Sequence, residues 1–500
     1  MIMDGQDAVA NAIKFGTDGW RGVMAEDFTF PNLRRVAAGT VAFLQKNPPS
    51  RRGPLLVGYD RRFFSKEFAH CLADFFKRNG FEVKVSRTPI PTPALSVSVV
   101  SHKSPWGFMI TASHNPAMYN GYKIKEGSGR SAPEEVTKQI EQLIPDVASP
   151  PPPLPMGEGR NPQSPLPVGE GGPPKAVGEA TFDFFKDYEN YLKKRLDWKI
   201  LQRVRARVVL DHLYGVAAGI PEKLLNKSAI TFFPLHAKED PLFGGLHPEP
   251  IECNLSELQK EIRTRRALVG FAFDGDADRL GVMDEAGRYL TPHQVFPLLL
   301  LYGVEKKGWK GKVVQSVSLG ALGERIAQAH HLPFEEVPVG FKHIAQRMVS
   351  EDIVAGGEES GGYGFKGGLP ERDGILSALF FLEMLATSRQ TPSQLLRAME
   401  KRFGAARFKR SDIPLKQPIQ DKTRFSQDIT SRLPDRIAGS RVAQVRTQDG
   451  VKIVLADGAW ILMRPSGTEP LMRTYAESDR WERTDKLLSL SQQWVQAANP

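Results

Sequence analysis

Cysteine is nearly absent: Cys71 and Cys253 are the only 2 in 500 residues. They stand too far apart in sequence to suggest a disulfide framework or a zinc site. Long apolar runs are missing as well. Val295 to Tyr302 is among the longest, far short of the ~18 consecutive apolar residues that a membrane helix needs. The chain does not open on a basic patch followed by an apolar stretch, so the expectation is no secretory signal, no membrane and a reducing, cytoplasmic location. Zinc-finger spacing and an aromatic RNA-binding signature are also lacking, which argues against nucleic acid. The formal charge is nevertheless +10, from 67 Lys+Arg against 57 Asp+Glu. The basic residues are scattered, a balance that suits phosphorylated metabolites.

What is present is ordinary for a globular protein: 41% hydrophobic and 25% charged residues, which excludes a wholly disordered or fibrous chain. At roughly 150 residues per domain the length suggests three domains, with four allowed. Short β-rich runs alternate with helical stretches. Leu55–Tyr59, Trp106–Thr111, Val208–Leu210, Leu268–Phe273, Val313–Val314, Ile353–Ala355 and Trp460–Met463 read as strands. Phe64–Arg78, Ala321–His331 and Trp481–Ala498 read as helices. That alternation predicts an α/β fold with functional loops beyond the carboxyl ends of strands.

One segment does not fit a packed domain. Residues 149–174 are crowded with Pro and Gly, and Pro153-Leu154-Pro155-Met156-Gly157-Glu158-Gly159 recurs as Pro165-Leu166-Pro167-Val168-Gly169-Glu170-Gly171. Such a stretch has too little apolar surface to offset its ordering entropy. It reads as a tolerated surface insertion rather than a proline-rich docking ligand.

Four loops carry chemistry. Asp274-Gly275-Asp276-Ala277-Asp278-Arg279 follows a strand, and three alternating carboxylates on a tight turn suit one Mg²⁺. A calcium loop is excluded because Arg279 stands where that pattern requires glycine. Thr111-Ala112-Ser113-His114-Asn115-Pro116 also follows a strand, and Pro116 fixes its turn. It is no hydrolase elbow; a serine that carries a phosphoryl group beside Mg²⁺ needs neither elbow nor triad. In Gly356-Gly357-Glu358-Glu359-Ser360-Gly361-Gly362, Glu358 and Ser360 can reach neighbouring hydroxyls. The overlapping Gly362-x-Gly364-x-x-Gly367 is not a dinucleotide site, because Gly368 and Pro370 prevent a helix from opening there. Arg464-Pro465-Ser466-Gly467-Thr468-Glu469-Pro470, followed by Arg473, suits a phosphate dianion.

Together with Phe15-Gly16-Thr17-Asp18-Gly19-Trp20-Arg21-Gly22 near the start, these loops stand in the order of the α-D-phosphohexomutases, the phosphoglucomutase and phosphomannomutase family, which the chain resembles from about residue 14 to about 480. The resemblance implies four domains around a central cleft, three similar α/β domains and a smaller C-terminal α+β domain. Their expected bounds are 1–192, 193–308, 309–410 and 411–500. It implies that Ser113 is the phosphoserine and, with Asp274, Asp276 and Asp278, binds Mg²⁺. Arg21 and Lys123 resemble the groups that assist phosphoryl transfer, and His114 is counted with them. Lys342, Glu358, Ser360, Arg279, Arg464, Ser466, Gly467, Thr468 and Arg473 match substrate-binding positions. The implied reaction interconverts hexose 1- and 6-phosphates of glucose, and of mannose, through a bound glucose 1,6-bisphosphate type of intermediate.

The chain departs from the family pattern in two places. Some relatives carry histidine where this chain has Gly362, and many carry Asn where His247-Pro248-Glu249-Pro250 has Glu249. Phosphoglucosamine mutase is the nearest alternative. A non-catalytic sugar-phosphate sensor would have lost the serine or an aspartate, and a phosphatase would release free phosphate at rates comparable to isomerisation.

Overall fold

The computed structural model describes residues 13–48, 51, 53–146, 181–419, 421–466 and 470–498. The 149–174 duplication, Gly467 and Thr468 lie outside the described residues. Four sheets follow one another along the chain.

In the first, Leu55–Tyr59 lies parallel to Val83–Ser86 and Trp106–Ile110, while Tyr119–Glu126 and then Trp20–Val23 add antiparallel edges. The central run Leu-Leu-Val-Gly-Tyr is buried throughout, as a strand covered on both faces must be. Its alternation divides the faces. Leu55 and Val57 join Phe108, Phe68 and Leu72 on one side; Leu56 joins Met109, Ala94 and Leu95 on the other.

The second sheet orders Tyr289–Leu290, Leu280–Met283, Val269–Phe273, Arg205–Asp211 and Ala229–Leu235. The third orders Phe334–Val337, Lys312–Ser316, Ile353–Gly357 and Tyr363–Phe365. The fourth is six-stranded and antiparallel throughout, with Arg407–Pro414 at one edge beside Leu471–Ser478 and Trp460–Pro465. The expected bound at 410/411 therefore cuts a strand. The pairing of Arg407 with Ser478 assigns that whole strand to the last unit.

One apolar core joins the first three units, running from Leu56 and Met109 through Phe271 to Phe380, and the first unit has a second core around Val57, Phe68 and Phe108. The fourth has its own, around Ile453, Met472 and Leu487. It meets the third through a small cluster of Val317, Trp460, Leu462 and Tyr475, and through ion pairs of Lys452 and Arg446 with Glu336. The chemistry-bearing loops leave the ends of strands: 111–116 after Trp106–Ile110, 274–279 after Val269–Phe273 and 358–362 after Ile353–Gly357, and Ser466 directly follows Trp460–Pro465. Among the described residues no helix is long and apolar enough to cross a membrane.

Candidate active site

The serine loop is held by a buried arginine. Arg62 donates to the carbonyl oxygens of Ser113 (2.7 Å), Asn115 (2.6 Å), Pro116 (2.7 Å) and Tyr119 (3.0 Å). Asp60 balances it at 3.3 Å and accepts the Thr111 hydroxyl at 2.6 Å. Ser113 sits in the left-handed region, φ 53°, a conformation that costs a non-glycine residue free energy and persists when its surroundings impose it. Four carbonyl anchors impose it here.

The acidic loop is pressed against this turn. Gly275 permits that: a Cβ there would lie 2.5 Å from the Ser113 carbonyl oxygen. The Ser113 hydroxyl donates to Asp274 Oδ2 at 2.7 Å. Asp274, Asp276 and Asp278 are all fully buried, each with a carboxylate oxygen within 4.8 Å of the others. Lys123 reaches them from the strand antiparallel to Trp106–Ile110, where it stands opposite Met109. Its Nζ lies 2.8 Å from Asp276, 3.3 Å from Asp278 and 2.8 Å from Asp18.

Charge in this cluster is unevenly balanced. Burial, with Asp278 and Asp276 adding to it, pushes the Asp274 carboxyl well up from its ordinary range. Burial also penalises the charged Asp276 and Asp18 and is the largest single influence on each. Lys123 together with Thr92 at Asp276, and Lys123 together with Arg372, Lys125 and Arg21 at Asp18, nevertheless hold both below their ordinary range. Asp276 Oδ1 and Asp278 Oδ1 are buried without a hydrogen-bond partner. Two orphaned carboxylate oxygens beside a third buried carboxylate fit a hard divalent cation. His114 Nδ1 lies 3.4 Å from Ser113 Oγ. Burial, then Arg279, Arg21 and Lys123, hold its pKa well below the ordinary value, so the ring is neutral near pH 7. Arg21 donates to the Asn115 side chain. Arg279 Nη1 lies 3.3 Å from Glu249 Oε1, so the glutamate that departs from the family pattern faces the acidic loop.

The four family models of the phosphoglucomutase/phosphomannomutase domains match in order: domain I over 12–150, II over 186–287, III over 291–403, and the C-terminal domain over 424–489. The chain belongs to that family. It is an enzyme, a mutase and phosphotransferase. A "probable phosphoglucosamine mutase" of Methanothermobacter thermautotrophicus is 30% identical over 487 residues, 94% of each chain. A phosphoglucomutase/phosphomannomutase of Thermococcus kodakarensis is 27% identical, covering 95% of this chain and 97% of its own. The crystal structure of a "putative phosphomannomutase" from Thermus thermophilus is 32% identical with a TM-score of 0.81, covering 97% of this chain and 99% of the other.

The remaining positions that resemble the family's substrate contacts stand outside the serine turn and the acidic loop. Glu358 Oε1 accepts the Gly340 N–H at 2.9 Å, and Ser360 Oγ lies 3.4 Å from Glu358 Oε2. The neighbouring Glu359 turns to Arg410 instead, at 3.2 Å. Lys342 pairs with Glu134 of the first unit at 2.6 Å. Arg464 and Arg473 stand opposite each other on adjacent strands. Arg464 Nε donates to Asp449 Oδ2 at 2.7 Å, and the same oxygen accepts the Val339 N–H at 2.9 Å. Ser466 is buried at the end of its strand.

Four residues that the loop motifs left out belong to this constellation. Arg62 holds the serine turn. Thr92 donates to Asp276 Oδ2. Asp18 pairs with Lys123, and the buried Arg372 donates to both Asp18 and Asp278. Of the four, Asp18 stands inside a sequence motif, the opening Gly-Thr-Asp-Gly-Trp-Arg-Gly run.

Proposed function

We propose that this mutase interconverts hexose 1-phosphates and hexose 6-phosphates, of glucose and also of mannose, in the cytoplasm. Ser113 carries the phosphoryl group, and the reaction passes through a bound sugar 1,6-bisphosphate. The observation that carries this reading is the hydrogen bond from the Ser113 hydroxyl to Asp274, inside a cluster of three buried carboxylates. Asp274, Asp276, Asp278 and the Ser113 oxygen would hold Mg²⁺. When bound, Mg²⁺ neutralises charge on the phosphoryl oxygens.

The chain's own groups do the rest. In the first half-reaction the Oγ–P bond of phosphoserine breaks as a sugar hydroxyl oxygen bonds to phosphorus. The sugar hydroxyl's proton passes to a neutral base and from it to the leaving serine oxygen, which becomes the Ser113 hydroxyl; His114 Nδ1, 3.4 Å from that oxygen, relays it. The bisphosphate turns over, Ser113 Oγ bonds to its other phosphorus as that sugar O–P bond breaks, and the serine hydroxyl's proton passes by the same base to the released sugar oxygen. Lys123 and Arg21 offset the charge of the transferring group. Glu358 and Ser360 grip a pair of adjacent sugar hydroxyls, and Lys342, Arg279, Arg464, Ser466, Gly467, Thr468 and Arg473 bind substrate, the C-terminal group taking the phosphate that is not reacting.

By family resemblance the gripped hydroxyls are at carbons three and four, where glucose and mannose do not differ. Glucose is therefore expected to be preferred by no more than about 100-fold, or about 2.7 kcal/mol, what one or two hydrogen bonds discriminate. A second reading, phosphoglucosamine mutase, is supported by the name of the M. thermautotrophicus relative. The test is kcat/KM measured side by side on glucose 1-phosphate, mannose 1-phosphate and glucosamine 1-phosphate. A tenfold or greater preference for glucosamine 1-phosphate would establish the second reading. Inert mannose 1-phosphate would refute the stated sugar range. Glu358→Gln should weaken glucose and mannose substrates in parallel.

A further inference from the structure

Arg372 lies in Pro370-Glu371-Arg372-Asp373-Gly374, just ahead of the helix Gly374–Ser388. Asp373 caps that helix by accepting the Leu376 N–H at 2.8 Å, which fixes the backbone from which Arg372 departs. The side chain is only 8% exposed, and a buried guanidinium requires carboxylate partners. It has one from each of three units. Its Nη2 donates to Asp18 Oδ2 at 2.8 Å in the first and to Asp278 Oδ2 at 2.6 Å in the second; Nη1 lies 3.4 Å from Glu358 Oε2 in the third.

The partner atoms matter. On Asp278, Lys123 and Arg372 both occupy Oδ2, which leaves Oδ1 as the orphaned oxygen beside Asp274 and Asp276. On Glu358, Gly340 N–H holds Oε1 and Arg372 stands beside Oε2. One rigid fork thus orients a carboxylate of the acidic loop and a carboxylate of the sugar loop together.

A second observation bears on the same side chain. Gly362, the position where some relatives have histidine, is where a Cβ would lie 2.2 Å from Arg372 Cδ and 2.8 Å from its Cγ. The stem of Arg372 fills the space that a side chain at 362 would need. Its presence and the missing side chain at 362 are one arrangement.

We infer that Arg372 is a positioning residue that sets Asp278 for divalent-cation binding and Glu358 for the sugar, and that Gly362 is glycine in this chain to admit it. The inference rests on the assignment of Asp274, Asp276 and Asp278 as the cation ligands. The full-length protein is titrated with Mn²⁺ followed by its electron paramagnetic resonance signal, and Mg²⁺ is measured by competition. Parent, Asp278→Asn, Arg372→Lys and Gly362→Ala are compared. Arg372→Lys keeps the charge but not the planar fork, and should weaken Mn²⁺ about 10- to 100-fold, the range for groups that orient a metal ligand. Gly362→Ala leaves the guanidinium in the chain but displaces its stem, and should weaken Mn²⁺ in the same direction. At saturating Mg²⁺, KM for glucose 1-phosphate should still be raised in Arg372→Lys, because Glu358 has lost its support.

A residue with only a structural role would lower the melting temperature of the metal-free protein and leave the Mn²⁺ affinity of the folded fraction unchanged. Mn²⁺ affinity within twofold of the parent in folded Arg372→Lys overturns the inference alone. If Arg372→Lys does not fold, the same outcome in Gly362→Ala overturns it. A parent affinity that Asp278→Asn leaves unchanged overturns the ligand assignment and the inference with it.

Discussion

Lys342 Nζ and Glu134 Oε2 meet at 2.6 Å, tying the third unit to the start of the helix Glu134–Gln142 in the first. Lys138 and then Lys342 hold the Glu134 carboxyl down at about 2, so the glutamate is charged at any working pH. Family resemblance makes Lys342 a substrate contact, and a lysine held by a glutamate must be released before it can serve a sugar phosphate.

Glu134→Gln should therefore ease substrate binding. Glu134 is half exposed, and exposed pairs contribute within about 1 kcal/mol, a factor of roughly five. The expected result is a KM for glucose 1-phosphate lowered up to about fivefold, with kcat unchanged and at most a small fall in melting temperature. A raised KM in the variant would instead make Glu134 part of the binding surface.

Ser113→Ala should abolish isomerisation while the turn keeps its shape. The Arg62 anchors are to backbone carbonyls, so the substitution removes only the hydroxyl contacts with Asp274 and His114. A loss of at least about 10³-fold is the scale expected on removing a covalent nucleophile. Near-normal turnover, with melting temperature as the folding control, would reject Ser113 as the phosphoryl carrier.

The acidic loop, the serine turn and the strand ends that carry them could be read from the sequence, because residues that share a turn are also neighbours in the chain. The side chains that arrange them could not. Arg372 and Asp18 are 354 positions apart and Thr92 and Asp276 are 184 apart; neither pair belongs to one motif. Sequence also gives no physical reason why Glu358 should face Gly340 while Glu359 turns to Arg410; the hairpin from Ile353–Gly357 to Tyr363–Phe365 decides that. The 410/411 bound failed because the strand Arg407–Pro414 alternates half-buried and exposed positions. It lacks the apolar run that marked the interior strands.

Removing divalent cations should cost stability as well as activity. Without a cation, three buried carboxylates share Lys123, Arg279 and Arg372 as counter-charges. Burial keeps the Asp274 carboxyl well up from its usual range. A ligand that binds only the folded chain stabilises it by about 2.7 kcal/mol at 100 times its Kd. Melting temperature should rise with added Mg²⁺ and fall with chelator, and Asp276→Asn should abolish most of that difference. A melting temperature insensitive to Mg²⁺ in the parent would count against the site.

A carboxyl outside the acidic loop makes the stability of the fold depend on pH. Asp373 caps the helix Gly374–Ser388, accepting from Leu376 N–H at 2.8 Å and from the Tyr188 hydroxyl at 2.7 Å. It is buried, its Oδ2 has no hydrogen-bond partner, and burial raises its pKa to about 7. The folded chain therefore holds a proton on Asp373 that the unfolded chain, with an ordinary carboxyl near 3.8, has released. The stabilising contribution of that proton is complete below the unfolded value and is lost as pH rises through the folded one. Asp373→Asn keeps an oxygen for both donors and cannot ionise. Its melting temperature relative to the parent should climb between pH 5 and pH 8, with the variant gaining most at pH 8. Subtracting the two curves cancels the titrations they share, including those of Asp274 and His114. A difference that stays flat across this window would mean that Asp373 is already ionised in the fold and that Tyr188 and Leu376 suffice to hold its charge.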